Sequence, residues 1–310
     1  MMRSRFPNIL PLKPALAAAE QGGYAIGAFS PRLTPMIAPV LRAAMGAQSP
    51  LIVQISQREL TRAGITPQVF ADAFFAAVEK EHVTVPVVLH LDHTFEMALI
   101  EQAIAAGFTS VMIDASEHPL DENTARTREV VAYAHARGVS VEAELGKIGT
   151  TDYVETDRDE ELYTDPAEAE RFVREPGVDA LAVSVGTAHG VYKVRQPRID
   201  YARLQAIRAR TLVHLVLHGG SGVPAVMIAQ AMQLPGGGIS KINIATDLEI
   251  AMLNALGLRT RITDAECRAL LPEQLARAQG AVEQTVIDKI TNFVRSAGHA
   301  AAINSQRIYS

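Results

Sequence analysis

The run PVVLHLDH, residues 86–93, decides the fold. Its apolar part reads as a buried strand, and it ends on Asp92 and His93, two side chains that carry chemistry. The arrangement recurs along the chain. Asp114 lies in SVMIDAS, Glu142 and Glu144 lie in VSVEAELG, His189 lies in ALAVSVGTAHG, His218 lies in LVHLVLHGG, and Asn243 sits in KINIATD. Polar groups at the ends of many separate strands are what a (β/α)8 barrel site needs, since its catalytic groups project from the C-terminal rim. Three of these groups are imidazoles, and three imidazoles with an open fourth position suit a catalytic zinc ion. The pattern predicts a metal-dependent enzyme acting on a small oxygenated substrate.

Working outward from 86–93, strand-like runs fall at 24–29, 51–56, 86–92, 110–114, 139–145, 180–185, 212–218 and 241–246. Helical patterns separate them at 35–46, 67–82, 95–106, 122–137, 166–174, 200–209 and 223–233. Strands alternating with helices in this number predict a closed (β/α)8 TIM barrel rather than an open sheet. LKPALAAAEQGG reads as a helix across the barrel bottom, ended by Gly22 and Gly23. The barrel is expected to occupy 1–255, with 256–310 a C-terminal helical extension of the same domain. Residues 147–165, KIGTTDYVETDRDEELYTD, form a long acidic loop after the fifth strand. A loop of that length in a compact fold reads as a lid or binding element.

Composition supports this and excludes other classes. Hydrophobic residues make up 48% of the 310 residues, with no tryptophan, so Val, Ile, Leu, Ala and Met must build the core. That suits a parallel sheet covered by helices. A net charge of −5 argues against a nucleic-acid partner, which would want a basic face. The single cysteine, Cys267, leaves no internal disulfide and fits a reducing cytoplasm. MMRSRFPNILPLKP lacks the apolar core of a secretory signal, and no run approaches a membrane span.

Each candidate also has a plain structural reading. Asp92 or Thr94 can cap the following helix. His90 reads as a hydrogen-bonded core histidine. For His189 and His218, the weight lies in separate strands bringing histidines to one rim. HGGSG (218–222) and TAHG (187–190) place small residues where a phosphate can meet backbone N–H groups. Ser221 adds a hydroxyl there, and Lys193 a positive charge. Thr246 opens a helix whose N-terminus favours an anion, at the strand seven and eight position where barrels often hold phosphate. Asp114 and Asn243 read as inward residues that orient a histidine or touch substrate. Glu142 and Glu144 share a parity and both point inward; a salt bridge to Lys241 and a role beside the metal are both open.

The motifs LDHT, SVMIDAS, VEAELGKIG, YTDPAEAERFV, DALAVSVGTAHGVYK, LVLHGGSGVP and KINIATDLE, in this order, resemble the class II, metal-dependent fructose- and tagatose-bisphosphate aldolases. Ala245 in NIATD brings the chain nearer the tagatose-type branch. The resemblance implies zinc held by His93, His189 and His218, with Glu144 as an alternative ligand or close neighbour. It implies that Asp92 transfers the proton of the hydroxyl at the breaking bond, and that Asn243 contacts the enediolate. Gly190, Lys193, Gly219, Ser221 and Thr246 would hold dihydroxyacetone phosphate, with a monovalent cation, Na+ or K+, nearby. Ser56 would reach a distal phosphate. The substrate is then a phosphorylated sugar, and the assembly a homodimer or homotetramer.

Two segments depart from the family pattern. Ser30 stands where the family carries asparagine, and the mobile loop reads GTTDYVETDRDEE. Asp152, Glu155 or a later acid of the loop must then exchange the enediolate proton, or that step differs. Both departures sit on the aldehyde side, so the aldehyde is expected to differ from glyceraldehyde 3-phosphate. The rival readings are a Schiff-base aldolase using Lys241 or Lys147, and a non-catalytic barrel that binds a sugar phosphate.

Overall fold

The computed structural model describes residues 5–148, 162–190, 192 and 196–306. Its parallel strands are β1 (Ile26–Phe29), β2 (Leu51–Ser56), β3 (Val87–Thr94), β4 (Ser110–Ile113), β5 (Ser140–Leu145), β6 (Ala180–Val183), β7 (His214–Leu217) and β8 (Ile239–Ile244). Each pairs with the next, and β8 closes on β1 through Ile26↔Lys241 and Ala28↔Asn243. The expected barrel is present.

Alternation along each strand sorts its side chains into two sets. Val53, Ile55, Leu89, Leu91, Val111 and Val141 face outward and pack with the surrounding helices. Ile26, Ala28, Ile52, Val88, Met112, Ala180, Ala182 and Val216 fill the lower interior. The helix Leu12–Gly22 plugs the bottom: its Leu12, Ala15, Leu16 and Ala19 belong to that inner cluster. Towards the top, the inward set becomes polar: Gln54, His90, Asp92, Glu142, Glu144, Lys241 and Asn243, all buried. A barrel interior is a packed core, so this change from apolar to polar marks the functional end.

Three features depart from the sequence reading. Residues 57–63 form a helix, capped by Ser56 Oγ, which accepts from Glu59 N at 3.2 Å. The run EQLARAQGAVEQTVIDKITNF is one α-helix only over Pro272–Asp288, then widens into a π-helical turn over Lys289–Phe293. Finally, β3 runs on past residue 92 to Thr94. The helix Pro272–Asp288 packs on the helices Ile37–Gly46 and Thr246–Leu256 of the barrel. No helix among the described residues is long and apolar enough to cross a membrane.

Candidate active site

The last turn of β3 presents two neighbours to one cleft. A register shift between Leu91 and Thr94 marks a bulge against β4. Inside it, His93 has φ 30°, a left-handed backbone that a non-glycine residue rarely adopts. The bulge breaks strict alternation, so Asp92 and His93 line the same cleft of about 510 Å3. Strain of this kind persists only where surrounding structure holds it, and it clusters at functional sites.

Three histidines meet in the cleft. The ring centroid of His93 lies 5.0 Å from that of His189 and 4.5 Å from that of His218, and His189 and His218 are 5.8 Å apart. One nitrogen from each of the three falls within 4.8 Å of the others, a spacing that can hold one metal ion. The remaining bonds decide which nitrogens are available. His93 Nδ1 is 2.9 Å from Asp114 Oδ2, and Asp114 Oδ1 accepts from Ser116 Oγ at 2.7 Å. His218 Nε2 is 2.9 Å from Glu142 Oε1. The opposite nitrogens, His93 Nε2 and His218 Nδ1, are buried and without a hydrogen bond. Carboxylates behind metal-bound imidazoles set their tautomer and orientation in this way. Buried ring nitrogens with no hydrogen-bond partner are costly, and neutral imidazoles turned toward one point fit a metal. Glu144 adds a third orphan, Oε2, 3.4 Å from His218 Nδ1.

The electrostatics are those of a site built for a cation. Burial lowers the pKa of His189 to about 4 and that of His218 well below the ordinary value, helped in both by the charge of His93. Burial also opposes charge on His93, but Asp92, Asp114 and Glu144 outweigh it and raise its pKa to about 10. In the metal-free chain His93 is thus the cation among the three. Burial and the nearby Asp114 push the Glu144 carboxyl well above its usual range.

Asp92 stands beside this cluster and is 5% exposed. Its Oδ1 accepts from Asn243 Nδ2 at 3.1 Å and its Oδ2 from Gln54 Nε2 at 3.2 Å. Burial pushes its pKa up, but His93, Lys241, His218 and the Asn243 bond bring it below the ordinary carboxylate value. It is therefore an ionised base at neutral pH.

One side of the cleft is glycine-rich backbone. Gly190, Gly219, Ser221, Ala245 and Thr246 line it, with Ser221 Oγ accepting from Asp247 N at 3.3 Å. Gly219 has φ 67°, and a Cβ there would sit 2.4 Å from Ala188 O. Only glycine allows β7 to turn this close to the loop carrying His189. The other side carries Ser30, Ser56, Arg32, Arg58, Arg62 and Arg261. Ser30 Oγ accepts from Gln54 Nε2 at 3.1 Å, which ties it to the same amide as Asp92.

The sequence-predicted residues Asp92, His93, Asp114, Glu144, His189, Gly190, Gly219, Ser221, Asn243, Thr246, Ser30 and Ser56 thus line one cleft or border it. Asp152, Glu155 and Lys193 lie outside the described residues. Lys241 is not among the residues lining the cleft: it is fully buried and paired with Glu142 Oε2 at 2.9 Å. Lys147 pairs with Glu117 at the cleft mouth. His90 is the expected core histidine, with Nδ1 2.8 Å from Ser110 Oγ. Gln54, which holds both Asp92 and Ser30, escapes a search for titratable groups. Its inward parity with Ser56, two residues on, is the signal that finds it.

Comparison with known proteins agrees with this geometry. The family model for class-II fructose-bisphosphate aldolase matches residues 11–299. The chain is 40% identical over 304 residues to a 6-phospho-5-dehydro-2-deoxy-D-gluconate aldolase from Shouchella clausii (strain KSM-K16), covering 97% of this chain and 99% of the relative. It is 38% identical over 295 residues to a fructose-bisphosphate aldolase from Geobacillus stearothermophilus, covering 95% and 99%. Among solved structures, the YdjI aldolase from Escherichia coli K12 superposes with a TM-score of 0.77 at 30% identity, covering 94% of this chain and 99% of that one. A family match over nearly the whole chain, on a barrel whose rim gathers three histidines beside a buried aspartate, makes this protein a carbon–carbon lyase of the class-II fructose-bisphosphate aldolase family.

Proposed function

We propose that this aldolase uses zinc and reversibly cleaves a ketose 1-phosphate or 1,6-bisphosphate to dihydroxyacetone phosphate and an aldehyde. The observation that carries the metal reading is the pair of orphaned nitrogens, His93 Nε2 and His218 Nδ1, each fixed by a carboxylate on the far side of its ring. His93, His189 and His218 would hold the zinc, with Glu144 close enough to join or replace a ligand. When bound, zinc supplies Lewis-acid stabilisation of the negative charge that develops as the carbon–carbon bond breaks.

The chain's own groups do the rest. Asp92 takes the hydroxyl proton during cleavage and returns it in synthesis. Asn243 donates both to Asp92 and toward the enediolate oxygen. Gly190, Gly219, Ser221 and Thr246 receive the phosphate, aided by Lys193 and by a monovalent cation, Na+ or K+. Asp152 or Glu155 exchanges the proton on the enediolate carbon. Ser56 and Ser30 face the aldehyde half, and the guanidiniums of Arg32, Arg58, Arg62 and Arg261 line the same side. Arg32, Arg62 and Arg261 pair there with Glu59 and Glu249, so four guanidiniums against two carboxylates leave this side net positive, which supports an aldehyde bearing an anionic group. In this reading residues 1–255 are the catalytic barrel, 256–310 extend it, and the enzyme works in the cytoplasm as a homodimer or homotetramer.

The test is to give zinc-loaded protein dihydroxyacetone phosphate with a panel of neutral, phosphorylated and carboxylate-bearing aldehydes and to identify the ketose products. The relatives' names, one a phosphorylated deoxygluconate and one a fructose bisphosphate, set the range of the panel. Anionic aldehydes should be preferred, and fructose 1,6-bisphosphate should be a poor substrate because of Ser30 and the altered loop. Efficient cleavage of fructose 1,6-bisphosphate would show that both replacements are neutral. Absence of any carbon–carbon bond formation would reject the reading.

A further inference from the structure

Lys241 sits at the centre of the barrel, on β8, with no exposed surface. A buried ammonium is costly unless it is fully paired. Its partners belong to two different arms of the site. One is Glu142, with Oε2 at 2.9 Å and Oε1 at 3.2 Å; the same Oε1 meets His218 Nε2. The other is Asn243 Oδ1 at 2.8 Å; Asn243 Nδ2 in turn donates to Asp92, whose Oδ1 also lies 4.0 Å from the ammonium. An ammonium has three donors and no acceptor, so the Asn243 atom facing it must be the carbonyl oxygen. The Asn243 amide nitrogen is thereby turned toward Asp92 and the cleft, and it cannot flip without setting two donors against each other.

We propose that Lys241 is a positioning residue that locks the proton-transfer arm, Asn243 and Asp92, to the metal arm, Glu142 and His218, in one frame. The proposal rests on reading His218 as a metal ligand and Asp92 as the proton-transferring group. Neither substrate contact nor nucleophilic chemistry is assigned to the lysine. Glu142 holds the His218 tautomer whose Nδ1 is bare, and the lysine offsets the carboxylate's buried charge. Asn243 presents its donors to Asp92 because the lysine occupies its acceptor. Removing Lys241 should therefore harm both arms at once, although it touches neither the proposed metal position nor the cleft.

The experiment compares Lys241→Met, Glu142→Gln, Glu142→Gln/Lys241→Met, Glu142→Gln/Asn243→Ala and the triple variant. The background substitution removes the carboxylate that would otherwise be left buried and uncompensated. Folding is followed by circular dichroism, zinc affinity by chelator competition, and turnover by aldol cleavage. Glu142→Gln/Lys241→Met should fold and bind zinc about 10–100-fold more weakly than wild type, the range for loss of a group behind a metal ligand. At saturating zinc its kcat should fall with KM unchanged. In the Glu142→Gln background, losing Lys241 and Asn243 together should cost little more than losing Asn243 alone, because one acts through the other. Additive losses, or wild-type zinc affinity and kcat in the folded double variant, would overturn the proposal. So would failure of both Lys241→Met and the double variant to fold, which would leave the lysine a structural ion pair. A wild-type chain that binds no zinc would instead defeat the functional reading on which this rests.

Discussion

Asp114 Oδ2 lies 2.9 Å from His93 Nδ1, and this one bond decides which nitrogen of His93 faces the other two histidines. The aspartate comes from just beyond β4 and the histidine from the bulged end of β3. Neighbouring strands thus supply a histidine of the proposed metal site and the group that orients it. Asp114→Ala should leave the fold intact and weaken zinc binding by about 10–100-fold, as loss of such partners does elsewhere. Competition against a chelator of known affinity measures it. Undiminished affinity would mean that the bulge alone holds the ring.

The charge state of His93 should make the proposed zinc binding pH-dependent. Its pKa in the metal-free chain is raised to about 10, and a metal requires the neutral imidazole. Zinc binding should therefore release at least one proton at neutral pH, and apparent affinity should climb as pH rises from 7 toward 10. The same shift affects stability without metal. An imidazole whose pKa is higher folded than unfolded stabilises fully below the unfolded value of 6.5. That contribution is lost as pH rises through about 10. Thermal scans of chelated protein should show falling Tm over this window, while zinc-loaded protein should not. Equal pH dependence in both would disprove a charged His93.

Asp92 is assigned proton transfer rather than metal binding. Asp92→Ala should keep stoichiometric zinc and lose about 10²–10⁴-fold in turnover, the usual scale for general acid–base groups. Because its pKa is held below the ordinary carboxylate value, wild-type cleavage should stay on its plateau well into mildly acidic solution. A folded variant that loses its zinc would make Asp92 a ligand instead.

Gly219 is where the turn after β7 packs against the loop carrying His189. A methyl group there would lie 2.4 Å from Ala188 O, next to His189, at a φ of 67°. Gly219→Ala should destabilise the protein by on the order of 1–3 kcal/mol, the cost of a strained non-glycine conformation. It should also weaken phosphate binding more than it affects zinc. Calorimetry and a phosphate-ester titration separate the two effects. Wild-type stability would show that the loop yields easily.

The barrel and much of its rim are legible in the chain because both depend on local signals. Short apolar runs place the strands, and a polar residue closing each run marks the rim. The interior ties are harder to read. Gln54 lies among apolar residues and titrates nothing, so the sequence offers only its parity. Lys241 is visible as a lysine of inward parity, but its pairing with both Glu142 and Asn243 shows only in the structure. The bulge at His93 is foreshadowed by two adjacent functional residues, which strict alternation cannot place together. The helix Gln57–Ala63 is a few residues long, and its Ser56 cap resembles any polar strand end.

The central claim is a metal-dependent site that activates dihydroxyacetone phosphate without a lysine adduct. Its most direct test is exchange of a carbon-bound proton of dihydroxyacetone phosphate in deuterium oxide, followed by NMR with no aldehyde present. Zinc-loaded protein should exchange one proton stereospecifically, chelated protein should exchange none, and added zinc should restore the rate. Borohydride should trap no lysine adduct during the reaction. Exchange that persists in protein shown to be metal-free, or a borohydride-labelled lysine, would contradict the account.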